Sequence, residues 1–248
     1  MKDPHLQKFD SLISKEWKRI FNQKMSSKVY KIIKEKDTRL YAMYMTQVYY
    51  YAYHTPRSLA MAGANLVNED TKLMQHFFEH GLEENGHDIM AFNDIKALGV
   101  PLKTRKDMPA VLPSTEVMIA YVKFLSLSNE PYRSLGYHYW IEQPYKYIEQ
   151  FMQTIIGELN LKKSQFRFYS NHKRIDQGHG NDIKSILSYY CKTEQQWEAV
   201  YQVALTTMRL FEQIIIEILN EYEMLKKDSS LNFQIINRLK PEKHILQS

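Results

Sequence analysis

Cysteine, glycine and proline are all scarce in this chain of 248 residues, and each scarcity excludes something. The single cysteine, Cys191, rules out an internal disulfide framework and any cysteine-based zinc or iron–sulfur site, and it fits a reducing cytoplasm. Eight glycines and eight prolines supply too few turns for a many-stranded β protein. Long apolar runs are missing too. The run Ile214–Leu219 is interrupted by Glu217, and no window approaches the roughly 20 apolar residues of a membrane-spanning helix. The opening Met1-Lys2-Asp3-Pro4-His5 leads into polar sequence without an apolar signal core, so the expected location is cytoplasmic. With 44% hydrophobic and 25% charged residues, the chain has an ordinary globular balance and can bury a sizeable core.

Charge discriminates less. The formal balance of +5 is spread along the chain. The densest basic stretch, Lys226, Lys227, Arg238, Lys240 and Lys243, reads as a solvated tail, and no nucleic-acid module accompanies it.

Most of the sequence repeats at helical period. Phe9, Leu12, Ile13, Trp17, Ile20 and Phe21 hold one face of a helix from Gln7 to Phe21. Ser26-Ser27 precede a short segment, Lys28–Lys34. Asp37 opens a third, expected to stop near His54 before Thr55-Pro56, with a shorter helix around Ser58–Leu66. One long helix is expected from Thr71 to Leu98, ended by Gly99 and Pro101. The three-proline segment Pro101–Pro113 reads as a loop. Further helices are expected over Glu116–Leu127, over Pro131–Leu159 with disturbance at Gly136 and Pro144, over Ser164–Cys191, and over Glu194–Leu225. The expectation is an all-α bundle of about seven helices, with residues 1–228 as the helical domain and 229–248 as a C-terminal arm or short helix.

Histidines and carboxylates on these helices carry the chemistry. In His172-Lys173-Arg174-Ile175-Asp176-Gln177-Gly178-His179, a helix turning about 100° per residue puts Asp176 about 40° from His172, and His179 about 20° to the other side. Random placement of 9 histidines and 10 aspartates gives about 0.01 such matches, so chance is a poor explanation. Two imidazoles and one carboxylate suit iron, manganese or zinc. In the run from His76 to Asp88, Glu84 and His87 stand at i, i+3, a pairing that di-iron bundles use to project two ligands from one helix. Glu83 and His87 at i, i+4 would share a face as well, and His80 is either an outer hydrogen-bond partner or a ligand. Glu142, among aromatic residues, should be buried, which is costly for a carboxylate unless it meets a metal or a cation. Together Glu84, His87, Glu142, His172, Asp176 and His179 offer three carboxylates and three imidazoles, enough for two metal ions. Tyr49, Tyr50, Tyr53, Tyr139 and Tyr169 read first as aromatic packing and second as pocket lining or an electron relay.

These residues resemble the haem-oxygenase-like di-iron oxidases and oxygenases, the iron-containing redox enzymes of the haem-oxygenase and thiaminase-II-like superfamily. The matching elements are His80-x-x-Glu83-Glu84-x-Gly86-His87 with Asp94 and Leu98-Gly99 beyond, the isolated Glu142, and His172-x3-Asp176-x2-His179. The resemblance implies a haem-oxygenase-like bundle in which those six residues bind two iron ions, with manganese as an alternative metal. It also implies O₂ as co-substrate, a small organic substrate that is fragmented, desaturated or N-oxygenated, an external electron donor for repeated turnover, and a homodimer. Relatives act on fatty acids, amino acids, amines or an internal tyrosine, and the sequence does not choose among them. A first long helix without histidine disfavours haem oxygenation, since His5 and His54 are badly placed for a proximal ligand. Cys191 reads as a packing residue, not a thiaminase-type nucleophile. The competing readings are a non-catalytic metal-binding regulatory or interaction protein on the same scaffold, and a metal-free thiaminase-like enzyme.

Overall fold

The structure, a computed structural model, describes residues 4–66, 70–143 and 145–239, with the backbone alone described for residues 23, 145–146 and 172–181. Among these residues all of the regular structure is helical. The α-helices are α1 (Pro4–Ile20), α2 (Gln23–Lys34), α3 (Arg39–Ala64), α4 (Thr71–Glu83), α5 (His87–Ala97), α6 (Pro113–Ser126), α7 (Leu135–Glu142), α8 (Tyr145–Glu158), α9 (Arg167–Tyr190) and α10 (Glu194–Lys226). The described residues form ten α-helices, more than the expected seven or so; two long periodic stretches are broken, and two shorter expected segments are joined.

Helix α1 buries Phe9, Ile13, Trp17 and Ile20, steps of four, four and three along one stripe. Each such side chain contributes roughly 1.5–3 kcal/mol when taken out of water. Helix α2 starts at Gln23, before the expected Lys28, because Asn22 caps it by accepting the Met25 N–H at 3.1 Å. Helix α10 begins where expected, with Thr193 and Gln196 forming a reciprocal capping box. Helix α6 starts at Pro113, the first-turn position where proline's missing N–H costs nothing.

The first corrected boundary is the end of α3. It runs on through Pro56 to Ala64, joining two expected helices. Proline in a helix interior removes one hydrogen bond, but tertiary packing can hold such a helix together. Here Thr55 Oγ1 donates to the Tyr51 carbonyl at 2.9 Å and accepts from the Tyr137 hydroxyl at 2.7 Å, and Arg57 donates to the Tyr53 carbonyl. Helix α4 lies close across this point. A Cβ on Gly81 would stand 3.2 Å from the Pro56 carbonyl oxygen, so glycine permits the contact.

The second correction concerns the long helix expected from Thr71 to Leu98. It is two helices, α4 and α5, separated by the turn Glu84-Asn85-Gly86. Gly86 has φ +93°, a left-handed conformation that L side chains rarely adopt, and it reorients the chain at the residues of interest. Gly99, at φ +105°, ends α5 where expected. The expected helix Pro131–Leu159 divides similarly into a 3-10 turn at Pro131–Ser134, then α7, then α8. Gly136 lets α7 pack on α10: a Cβ there would fall 2.2 Å from the Val200 carbonyl oxygen.

The core joins nearly every helix. The segment after α10 belongs to it, because Phe233 and Ile236 are fully buried. A buried polar knot fastens this segment. The Arg39 guanidinium bonds Asp37 at 2.6 Å and Asn237 at 2.6 Å, and the Tyr222 hydroxyl donates to Asp37 at 2.7 Å. No helix among the described residues is long and apolar enough to cross a membrane.

Candidate metal centre

Three helix ends converge in the bundle. Helix α4 carries His80 and stops at Glu84, whose backbone N–H closes the last turn on the His80 carbonyl. The left-handed Gly86 then turns the chain, and α5 opens with His87. Helix α7 ends at Glu142, before Pro144 can continue it. Each site residue therefore stands at or within a turn of a helix terminus.

His80, Glu84, His87 and Glu142 are all buried, none more than 5% exposed. The His80 Nε2 and Glu142 Oε1 atoms lie 2.6 Å apart, and His87 Nδ1 lies 2.9 Å from Glu84 Oε2. One ligand atom each from His80, Glu84 and Glu142 falls within 4.8 Å of the others. Metal–ligand bonds of about 2.0–2.2 Å put the ligands of one ion within about 4.4 Å of each other. A slight contraction thus brings the three around an ion. Two carboxylates and an imidazole form a hard-to-borderline donor set that suits iron or manganese. Burying two carboxylates side by side is costly, and a cation offsets that cost more fully than imidazole hydrogen bonds do. The residues present fit a metal ion.

Glu83 differs from its neighbour. Its side chain is 48% exposed and lies 3.4 Å from His80 Nδ1, at the rim of the group. The sequence left His80 between two roles, and the structure sets it inside the buried group, bonded to Glu142. Glu84 and His87 do meet, though by a different route from the one the i, i+3 spacing suggested. They lie across a turn between two helices, not on one helix face. The side chains of His172, Asp176 and His179 lie outside the described residues; their backbone belongs to α9.

How α9 is held is described at both ends. Asp94 of α5, with no exposed surface, accepts the Arg167 N–H at 3.0 Å and the Phe168 N–H at 2.8 Å. These are orphan donors of the first turn of α9. Burial pushes the Asp94 carboxyl up to about 6, against the lowering effect of the two backbone donors. The Phe168 ring meets His87 edge-on at 6.4 Å between centroids. Near the other end, Lys184 Nζ lies 3.1 Å from Asp10 Oδ2, and the Tyr139 hydroxyl donates to Asp10 Oδ1, tying α9 and α7 to α1.

Behind His80 stand two histidines to which the sequence assigned no role. His80 stacks on His138 at 5.3 Å and on His76 at 5.5 Å. His138 is fully buried, and neither ring nitrogen has a hydrogen-bond partner. Desolvation, with His80 and His76 nearby, lowers its pKa well below the usual value, so the ring is neutral. The signal was present: His76 stands four residues before His80, and His138 four before Glu142, one helical turn in each case.

An all-α bundle with buried carboxylates and imidazoles at three converging helix ends has the donor set of a helical metal site. The comparisons agree. Residues 42–212 match the family of iron-containing redox enzymes, and the chain belongs to that family. The chain is also similar to a crystal structure from Shewanella denitrificans OS217, a domain of unknown function with a heme oxygenase-like fold. The two are 28% identical with a TM-score of 0.83, over 92% of this chain and 97% of that one. No curated protein matches.

Proposed function

We propose that the protein is a non-haem di-iron oxidase or oxygenase that uses O₂ to oxidise a small organic substrate. The observation that carries this reading is the buried His80–Glu84–Glu142 group, bordered by His87, in a chain of the iron-containing redox enzyme family. In the proposed centre Glu84, His87 and Glu142 bind from one side, and His172, Asp176 and His179 from α9. The α9 backbone supports this. By helical rise the three lie about one, two and three turns beyond Phe168, which sits against His87. Bound iron would supply electron transfer to O₂.

The protein's own residues have definable tasks. Glu84 and Glu142 neutralise bound cations and orient imidazoles. Glu142 holds His80 in one orientation, so His80 is either an additional ligand or the partner that aims Glu142. The neutral His138 and the aromatic residues Phe168 and Trp140 exclude water from the inner side. A cavity beside Glu84, walled by Trp17, Tyr51, Trp140, Ile141 and Phe168, gives a substrate access to the carboxylate.

The test is anaerobic loading with Fe(II), metal analysis, then exposure to O₂ with an oxygen electrode. About two iron equivalents and O₂ uptake are expected. Glu142→Gln and His172→Ala should each lower iron content while far-UV circular dichroism stays helical. Binding of less than one equivalent by the unaltered chain refutes the reading, and iron binding without O₂ uptake in a substrate panel points to a regulatory protein.

A further inference from the structure

Helix α6 is apolar on two faces. The inner face sends Met118, Val122 and Leu125 into the core. The outer face carries Val117, Ala120, Phe124 and Leu127, all exposed. Val117 is 55%, Phe124 65% and Leu127 56% exposed, and none of the three packs on the core. Single exposed apolar side chains are ordinary in a protein surface, but a helix that is hydrophobic all round is normally covered all round. The steps of three, four and three between these residues are those of a coiled-coil seam, with Val117 and Phe124 at a, Ala120 and Leu127 at d. Glu116 and Lys123, both exposed, then occupy the g positions along one edge, and Tyr121 and Ser128 the e positions along the other.

We propose that this face joins two copies of the chain, with the α6 helices antiparallel about a two-fold axis. The pattern is complementary to itself only in that arrangement. An antiparallel pair sets a against d, so Val117 meets Leu127 of the second copy and Ala120 meets Phe124, the smallest side chain under the largest. The g edges face each other, and Glu116 stands against Lys123 of the second copy, twice by symmetry. Neither charge is paired within its own chain among the described residues. A parallel pair would stack Ala120 on Ala120 and Phe124 on Phe124, and would set Glu116 against Tyr121 and Lys123 against Ser128, with no charge matched. Size sets the strength. A helix of 14 residues is about 21 Å long and about 10 Å across, a footprint of about 200 Å². Stable interfaces bury about 800 Å² on each partner, so this seam makes a reversible dimer of micromolar affinity and not an obligate one. The inference is independent of the metal centre.

The test is sedimentation equilibrium of the full chain, without added metal, from about 1 to about 500 µM. A reversible monomer–dimer equilibrium is expected within that range. Phe124→Glu should weaken it roughly thirtyfold or more, since it buries a charge at the centre of the seam. Glu116→Lys and Lys123→Glu should each weaken it about threefold or more, because each sets like charges together. The double variant Glu116→Lys with Lys123→Glu should return to within about twofold of the unaltered chain, because the pairs form again with their signs exchanged. All three positions are exposed, and circular dichroism checks that each variant stays folded. A chain still monomeric at about 500 µM overturns the proposal and gives the face to a different protein. A dimer that ignores Phe124→Glu overturns the choice of face, and single charge variants that the double variant does not rescue overturn the antiparallel pairing.

Discussion

Asp94 offers the sharpest test of how the fold positions α9. It lies on α5, two turns beyond the Glu84-Asn85-Gly86 connection, and its two carboxylate oxygens take the N–H groups of Arg167 and Phe168. Asp94→Ala strips both acceptors from a site with no solvent to replace them. Loss of a helix cap costs about 1 kcal/mol, and leaving a buried donor unpaired costs about 1–3 kcal/mol. We expect a total loss of about 2–4 kcal/mol in urea unfolding at neutral pH, a large share of a typical domain's stability. Asp94→Asn keeps one acceptor oxygen and should lose about half as much. The pH dependence carries a sign. The folded carboxyl sits near 6, above its ordinary unfolded value of about 3.9. Between those values the folded state binds more protons than the unfolded, so this group's contribution to stability falls as pH rises from about 4 to about 6. That decline should vanish in Asp94→Asn. Iron content supplies the functional readout: if Asp94 sets the register of α9, the alanine variant holds less iron even where it remains folded. An alanine variant within 0.5 kcal/mol of the unaltered chain, with full iron content, would refute the reasoning.

Three further outcomes are expected. Gly86→Ala meets no steric obstacle, since nothing lies within 4 Å of the new Cβ, but it places a side chain at φ +93°. The cost should be about 1–2 kcal/mol in chemical unfolding, with lowered iron content as Glu84 and His87 separate. Gly136→Ala drives a methyl group into the Val200 carbonyl and the Ala204 N–H of α10. Expression should be poor, or the melting temperature should fall by many degrees, because backbone and not a flexible side chain must move. Asp37→Ala leaves the buried Arg39 without its carboxylate and the Tyr222 hydroxyl without an acceptor. A loss of about 3–5 kcal/mol should appear in denaturant unfolding, and limited proteolysis should release the segment that carries Phe233 and Ile236.

Much of the helical content was legible in local pattern. The stripe Phe9, Ile13, Trp17, Ile20 and the Thr193–Gln196 box each name their helix without outside help, since caps and period are local physics. The breaks were harder. Pro56 read as a stop, yet Thr55, Tyr137 and the close passage of Gly81 hold α3 straight through it. Gly86 fell within one expected helix, Thr71 to Leu98, yet it takes a left-handed turn that no periodicity displays. The histidines stacked behind His80 were visible as residues but not as a cluster, because α4 and α7 meet only in space.

The sequence by itself determined an all-α chain and its inventory of imidazoles and carboxylates, because helical period, caps and residue chemistry are written within a few residues of one another. The tertiary structure decided which of the described ones meet: His80 and Glu84 gather with Glu142, Glu83 stays at the rim, and Glu84 reaches His87 across a turn. It also decided that a small apolar cavity stays open among α2, α3, α8 and α10. Those are long-range facts, set by how α2, α4, α7, α8 and α10 pack, and spacing along a chain carries no record of the empty volume left between helices.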